Sequence, residues 1–466
     1  MIRSIRLLLI LSVGLSLSCQ SAQPGQGASP PAPSRPNILM IYVDDMGYGD
    51  PGCYGGRDIP TPNIDRLAAG GVRFTDGYVT APVCGPSRMG LLTGAYQQRF
   101  GCYWNDDLWA KYGLDLPESQ KLMPQALSAA GYKTGHVGKW NITSDARPYV
   151  DEAFAVMIWK GAYYPNEEGV YLGVDGPDFQ VESHGWGPPR PDAEYLTDRL
   201  TRHAVDFLER HAAEPFFLYL AYNAPHTPLQ ADKKYEAEFR HVEHEPNRLY
   251  AAMVASLDEN VGRVLDKLRD AGLEENTIVA LVSDNGPARG SNYLKGWRDD
   301  WPKETLLGSA GPLSGHKAQC QEGGIRVPFV LRWPARLEAG RIYTRPVSTL
   351  DLYPTFCAAA GAKIAESTQL DGVDLLPYLT GEKTGDPHDM LFWKPYAGGA
   401  VRHKQWKLLI ESWGKGRVRL FDLENDLGET NDLADAEPEL TERLHQAWLD
   451  WSRPFPVAAN KRQKSE

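Results

Sequence analysis

From Asn37 onward, apolar runs of strand length alternate with stretches whose apolar residues recur at helical spacing. Ile38 to Val43 is the first run and closes on Asp44-Asp45. Phe216 to Tyr222 is the second and closes on Asn223-Ala224-Pro225-His226, and Thr277 to Val282 is the third, closing on Ser283-Asp284-Asn285-Gly286. Helical periodicity predicts helices over Gln120 to Ala130, over Ala193 to His211, where Leu196, Leu200, Ala204 and Leu208 share a face, and over Asn247 to Ala271, stopped by Gly272. Strands that are apolar at every position must be covered on both faces. The expected fold is therefore α/β, with a large mixed, mostly parallel sheet and helices on both faces. Such sheets bind ligands beyond the carboxyl ends of their strands, where all three runs place their polar residues.

The pattern changes near Gly381, where Gly-Glu-Lys-Thr-Gly-Asp-Pro makes a turn-rich connection. Beyond it, Met390 to Lys394, Trp406 to Glu411 and Val418 to Leu423 read as short strands and Glu437 to Trp451 as a helix, which predicts a small C-terminal antiparallel subdomain with one helix. The expected division is a large domain over 37–380 and this subdomain over 381–466. At the other end, Arg3 and Arg6 precede the apolar run Leu7 to Leu17, too short for a membrane span and of the form of a secretory signal over 1–19. Cys19 after Ser18 is similar to a lipoprotein attachment cysteine, although Ser16 stands where an aliphatic residue is usual. Two readings stay open, a lipid anchor at Cys19 or a simple cleaved signal, and both imply export to the periplasm, the outer surface or beyond. Residues 20–36 are Gln, Gly, Ser, Ala and Pro in the main and read as a flexible tether.

At 466 residues the chain exceeds one ordinary core. Its formal charge of -11 and lack of basic stripes exclude nucleic acid as a partner. An anionic ligand would gain nothing from the overall field, so attraction must come from a metal and a few cations focused in a cleft. Cys53, Cys102, Cys320 and Cys357 either pair in an oxidising compartment or remain buried thiols.

Asp44-Asp45 and Asp284-Asn285 are two pairs of oxygen donors at two strand ends, without Cys or His at zinc spacing. Hard oxygens of this kind select Ca2+, or less readily Mg2+. Between them in sequence lies Cys84-Gly85-Pro86-Ser87-Arg88, with Thr93-Gly94 closing the segment. Pro86 suits the first turn of a helix, which would put Cys84 at the positive end of the helix dipole. Gly138-Lys139-Trp140 and Gly315-His316-Lys317 each present a lysine in a Gly-flanked loop. His226 is held between Pro225 and Pro228 in a rigid loop that suits an exposed histidine.

The Cys84 segment resembles the CxPSR signature of the type I sulfatases of the alkaline-phosphatase superfamily. The other motifs follow in matching order over Asn37 to Pro438, among them Glu322-Gly323-Gly324-Ile325-Arg326-Val327-Pro328 and Leu420-Phe421-Asp422-Leu423-Glu424-Asn425-Asp426. The resemblance implies hydrolysis of a sulfate ester, and a maturation enzyme that oxidises Cys84 to Cα-formylglycine. It implies one Ca2+ held by Asp44, Asp45, Asp284 and Asn285 and touching residue 84, with Arg88 donating to the nucleophilic oxygen. Lys139 and Lys317 would bind the sulfate oxygens, and His226 would protonate the leaving alcohol. One departure stands out: the family pattern runs Gly-Lys-Trp-His, and here the last position is Asn141, which cannot act as a base. Asn141 could orient the hydrate while His136, His316 or Asp284 takes the proton. Export and the tryptophans Trp104, Trp109, Trp159, Trp186, Trp297 and Trp301 point to a sulfated glycan, since aromatic faces stack on sugar rings, unless these residues serve packing. The rival readings are a formylglycine-dependent phosphonate or phosphodiester hydrolase, and a non-catalytic sulfated-glycan-binding homologue.

Overall fold

A computed structural model describes residues 35–108, 114, 116–143, 145–156, 163, 193–290, 305–411 and 416–458. The expected signal and most of the tether, with Cys19, lie outside these residues, as do Trp109, Trp159, Trp186, Trp297 and Trp301. No helix among the described residues is long and apolar enough to cross a membrane.

In chain order the strands are β1 (Asn37–Val43), β2 (Val72–Phe74), β3 (Gly77–Tyr78), β4 (Lys133–Lys139), β5 (Glu152–Val156), β6 (Phe216–Ala221), β7 (Thr277–Ser283) and β8 (Ala288–Arg289). They continue as β9 (Leu306–Leu307), β10 (Phe329–Arg332), β11 (Arg341–Tyr343), β12 (Val347–Ser348), β13 (Leu391–Trp393), β14 (Gly399–His403), β15 (Trp406–Ile410) and β16 (Val418–Asp422). Eight of them form one sheet in the order β11-β2-β10-β7-β1-β6-β4-β5. Its neighbours run parallel except β10, which is antiparallel to both β7 and β2.

The central strands show why their runs are apolar throughout. In β1, Ile38, Met40 and Tyr42 enter the core on one face of the sheet, while Leu39, Ile41 and Val43 enter the core on the other. β6 divides in the same way, Phe217 and Tyr219 against Phe216 and Leu218. The helix Leu196–Arg210 covers the second face with Leu196, Leu200, Ala204 and Leu208, the stripe expected from their spacing.

Two helix starts differ from expectation for a local reason. The helix expected from Gln120 begins at Met123. A start at Gln120 would drive the Pro124 ring into the carbonyl four residues back, so Pro124 is accepted only in the first turn. Freed from the helix, the Gln120 side chain donates to the carbonyls of Thr93 and Gln369 at 2.9 and 3.2 Å. The long helix runs Glu245–Asp270, starting earlier than expected because Pro246 also fits the first turn.

The C-terminal sheet has four antiparallel strands, β13 to β16, rather than three. β14 was not expected because its sequence ends on Arg402 and His403, polar residues that are nonetheless buried. Val401, Leu408 and Leu420 pack against Leu444 and Trp448 of the helix Pro438–Ser452, while Trp393, Leu409 and Phe421 join the first core of the large sheet. Cys53, Cys84, Cys102, Cys320 and Cys357 are free thiols, which settles the pairing question left open by the sequence for these residues.

Candidate active site

β7, β1, β6 and β4 are adjacent and parallel, with Val43 opposite Ser283, and Ala221 opposite both Tyr42 and Gly138. The chain therefore leaves the sheet at one level four times, delivering Asp284-Asn285, Asp44-Asp45, the loop to His226, and Lys139 to Asn141. Bonds from Asp284 N to the Val43 carbonyl (2.8 Å) and from Asp44 N to the Ala224 carbonyl (3.4 Å) carry the alignment past the strand ends. Asp45 turns back at φ 67°, in the left-handed region that Asp tolerates.

Cys84 opens the helix Cys84–Thr93, every residue of which is buried, after Val83 in extended conformation. The Gly85 N–H is taken by Asn105 Oδ1 at 2.9 Å. The backbone around Lys317 is fixed by its own N–H, which binds the Pro287 carbonyl at 2.9 Å, and by that of Ala318, which binds the Pro82 carbonyl at 2.8 Å.

One ligand atom from each of Asp44, Asp45, Cys84 and His226 lies within 4.8 Å of the others. Lys139 Nζ donates to Asp44, and Lys317 Nζ donates to both oxygens of Asp45 at 2.6 and 2.9 Å. Asn285 Nδ2 donates to Asp45 Oδ1 at 2.7 Å, and Asp284 Oδ1 accepts from Asp45 N at 3.2 Å. Arg88 turns its fork to Asp284 Oδ2, with Nη2 at 2.7 Å and Nε at 3.1 Å, while Nη1 reaches the Lys139 carbonyl at 3.1 Å and the Tyr219 hydroxyl at 3.3 Å. Its donors, expected from the resemblance to serve residue 84, are engaged here by Asp284, the Lys139 carbonyl and the Tyr219 hydroxyl.

The carboxyl groups of Asp44, Asp45 and Asp284 and the side chains of Lys139, Lys317 and Arg88 thus share a buried volume. Burial alone would raise the Asp44 carboxyl, but Lys139 and His226 hold it down to about 2. Asp45 is likewise lowered against burial by Lys317 and His226. Asp284 is raised, by burial and by the Asp44 charge. Burial also pushes the Cys84 thiol up to about 12 despite both lysines, so the unmodified side chain is a neutral thiol and a weak nucleophile at neutral pH.

The residues fit a hard cation. Asp44 Oδ1 and Asn285 Oδ1 are buried with no hydrogen-bond partner, and buried oxygens in that state lack a positive neighbour. Carboxylate and amide oxygens are the donors Ca2+ and Mg2+ take.

The structure treats the candidate proton carriers differently. His226 points Nε2 to 3.6 Å from Asp45 Oδ2, and its Nδ1 lies 2.6 Å from the Thr227 carbonyl, which makes Nδ1 the protonated nitrogen of the neutral ring. Asn141, at φ 52°, reaches the start of the Cys84 helix, its Nδ2 lying 3.0 Å from where a Gly85 Cβ would stand. His136 is turned into the core between Tyr219 and Trp140 with Nε2 on the Gly138 carbonyl at 2.9 Å, and burial lowers it to about 3. It is not brought to the cluster. His316 Nδ1 sits 2.9 Å from the Lys317 carbonyl. No sequence pattern marks Asn105, nor Tyr42 and Tyr219, of which the first places its ring and the second its hydroxyl against Arg88. They reach the site only through tertiary packing.

The sequence profile of the Sulfatase family matches residues 36–362, and that of the N-sulphoglucosamine sulphohydrolase C-terminal region matches residues 316–451. The chain belongs to the sulfatase family, whose members are sulfuric ester hydrolases, and it shares their alkaline-phosphatase-like fold. It is 30% identical to the steryl-sulfatase of Homo sapiens over 438 residues, covering 78% of this chain and 72% of that one. It is 32% identical over 428 residues to the N-acetylgalactosamine-6-sulfatase of Canis lupus familiaris, covering 88% and 76%. Among solved structures, that of Ps i-CgsB in complex with k-i-k-neocarrahexaose superposes with a TM-score of 0.79 at 32% identity, covering 91% of this chain and 94% of the other.

Proposed function

We propose that the protein hydrolyses sulfate esters of carbohydrates, using formylglycine made from Cys84 and one Ca2+ held by Asp44, Asp45, Asp284 and Asn285. The observation that carries this reading is the meeting of Cys84 with Asp44, Asp45 and His226 at four aligned strand ends, with Lys139 and Lys317 beside them. Conversion of Cys84 replaces the thiol and one hydrogen on Cβ by an oxygen, a two-electron oxidation in which sulfur leaves as sulfide and dioxygen, taking two electrons from Cys84 and two from an external thiol reductant, supplies one oxygen to the aldehyde and leaves the other as water. Once formed, the hydrated aldehyde supplies two hydroxyls on one carbon, one to accept the sulfuryl group and one to expel sulfate as the aldehyde returns. The cation, when bound, supplies Lewis-acid polarisation of the sulfate and favours the ionised nucleophile.

The chain's own residues do the rest. Lys139 and Lys317 offset the charge on the sulfuryl oxygens. His226 holds Nε2 toward the cluster, where, protonated, it can give a proton to the departing alcohol. Arg88 fixes Asp284, and Asn141 orients the hydrate from the start of the helix. Glycan esters are favoured over steroid esters by the neocarrahexaose complex of the structural relative and by Trp104. The Trp104 ring is half-exposed, follows directly on the Cys84 neighbourhood through Asn105, and lies 6.2 Å from Tyr396 in stacked orientation.

Mass analysis of the dried residue-84 peptide should show a loss of about 18 Da relative to the thiol, the difference between SH plus H and a carbonyl oxygen. Cys84→Ser should abolish desulfation of a sulfated-glycan panel and leave Ca2+ binding intact. An unmodified thiol in an active enzyme, or wild-type rates from the serine variant, contradicts the nucleophile. Faster turnover of paired phosphate esters would favour the phosphoester reading.

A further inference from the structure

Outside the site just described, the strongest concentration of buried charge lies where the C-terminal sheet meets the segment that carries Lys317. Lys407, on β15, is wholly buried, and its Nζ donates to Glu322 Oε1 at 2.7 Å with Glu429 Oε1 at 3.6 Å. Glu429 Oε2 in turn accepts from the Glu322 backbone N–H at 2.8 Å. The second Glu322 oxygen takes the Tyr78 hydroxyl at 2.7 Å and Arg326 Nη1 at 3.3 Å. Burial would neutralise these acids. For Glu322 the cations Lys407, Arg326 and Arg402 overcome it and hold the carboxyl down to about 2, whereas Glu429 is pushed up to about 7.

Glu322 opens a single turn, Glu322–Ile325, that touches the candidate active site through its backbone. The Gly323 N–H binds the Ser314 carbonyl at 2.6 Å, and the Gly324 carbonyl accepts from Gly286 N at 3.1 Å. The packing leaves no room: a Cβ on Gly324 would lie 2.1 Å from the Gln319 carbonyl oxygen and 2.6 Å from that of His316, and one on Gly286 would lie 1.7 Å from that of Gly323. The turn is thus a plate pressed between the Asn285 strand end and the 314–321 segment, and Glu322 is the handle by which the C-terminal sheet grips it.

We infer that Lys407, with Glu429, is a positioning residue of the C-terminal sheet that sets the place of Lys317 in the active site by holding the Glu322 side chain. The inference rests on the reading of Lys317 as a sulfuryl-binding residue. It gives the C-terminal sheet a part in turnover.

The test compares turnover and melting of the formylglycine-bearing enzyme in a cycle of variants. Lys407→Met alone strands a buried carboxylate and is expected to unfold readily, so it is paired with Glu322→Gln, which removes both charges at once. The paired variant should melt within a few degrees of wild type yet lose at least about ten-fold in kcat, with KM changed less than about three-fold. In a Lys317→Met background the same pair should cost less than about two-fold more, because the residue it positions is gone. Undiminished kcat in the paired variant, an equal loss in both backgrounds, or a pair that does not fold each overturns the inference. Wild-type turnover from Lys317→Met alone sinks the underlying reading instead.

Discussion

Arg88 shows how little a motif says about what its side chain touches. Sequence places it one turn into the helix behind Cys84, and the resemblance assigns it to the nucleophile. In the structure it is wholly buried, makes two bonds to Asp284 Oδ2, and stands over the Tyr42 ring at 5.1 Å. The guanidinium fork satisfies Asp284, Tyr219 and the Lys139 carbonyl at once, which a lysine ammonium cannot do with one nitrogen. Arg88→Lys should therefore lower kcat by about a hundred-fold or more. It should also destabilise the fold by about 3 kcal/mol, the scale for spoiling a buried pair. Turnover and urea unfolding of the variant measure both. Full stability would mean that Asp284 finds its balance elsewhere, as a bound cation could provide. The candidate residues Asp44, Asp45, Cys84, Asp284 and Asn285 were legible because each follows an apolar run or a helix-opening turn. Asn105 and Tyr219 were not, since nothing in Trp104-Asn105-Asp106 or in the run Phe216 to Tyr222 marks one residue as facing a site.

Among elements, the strands were read from hydrophobicity and the junctions were not. A run apolar on both sides has one physical solution, burial on both faces, so β1, β6 and β7 appear within a residue or so of expectation. β14 fails that rule because Arg402 is buried by charge supplied from elsewhere, Asp76 at 3.2 Å and the Tyr78 hydroxyl at 3.2 Å, partners over 300 residues away in sequence. The contact of the turn Glu322–Ile325 with the Asn285 strand end is of the same kind, and it depends on glycines. Gly286→Ala would force its Cβ against a backbone oxygen that no rotamer can move. Overpacking of this sort costs about 1–3 kcal/mol. Urea unfolding should register that loss, and because the strain falls between Asn285 and Lys317, turnover should fall together with Ca2+ affinity. A variant of unchanged stability and affinity would show that the two segments can part without consequence.

For the whole molecule, the site end of the sheet is held by a second buried acid away from the cation cluster. Asp50 accepts from Gly47 N at 2.6 Å, Ser309 N at 2.8 Å and the Tyr250 hydroxyl at 2.6 Å, joining the loop after β1, the segment around β9 and the long helix Glu245–Asp270. Burial outweighs these three donors and pushes its carboxyl up to about 7. Unfolded, the same group titrates near about 3.9. Between those values the folded chain holds a proton that the unfolded chain has lost, so stability falls as pH rises through this window and levels off above it. The stabilisation at the acid end is on the order of 4 kcal/mol from this group, and Glu429, also raised to about 7, adds in the same direction. Asp44 and Glu322, both held down to about 2, act oppositely but only below the ordinary carboxylate range. His136 and His203, lowered by burial to about 3 and about 4, take up protons on unfolding and give the opposite slope below neutrality. The Asp50 share is therefore read as the difference in urea unfolding free energy between wild type and Asp50→Asn, which should decline from about pH 5 to about pH 8. The Asp50→Asn variant leaves the Glu429 and histidine shares in place, so they cancel in that difference. An unchanged slope in the variant would mean that Asp50 is ionised in the folded protein throughout, and that its three donors outweigh its burial.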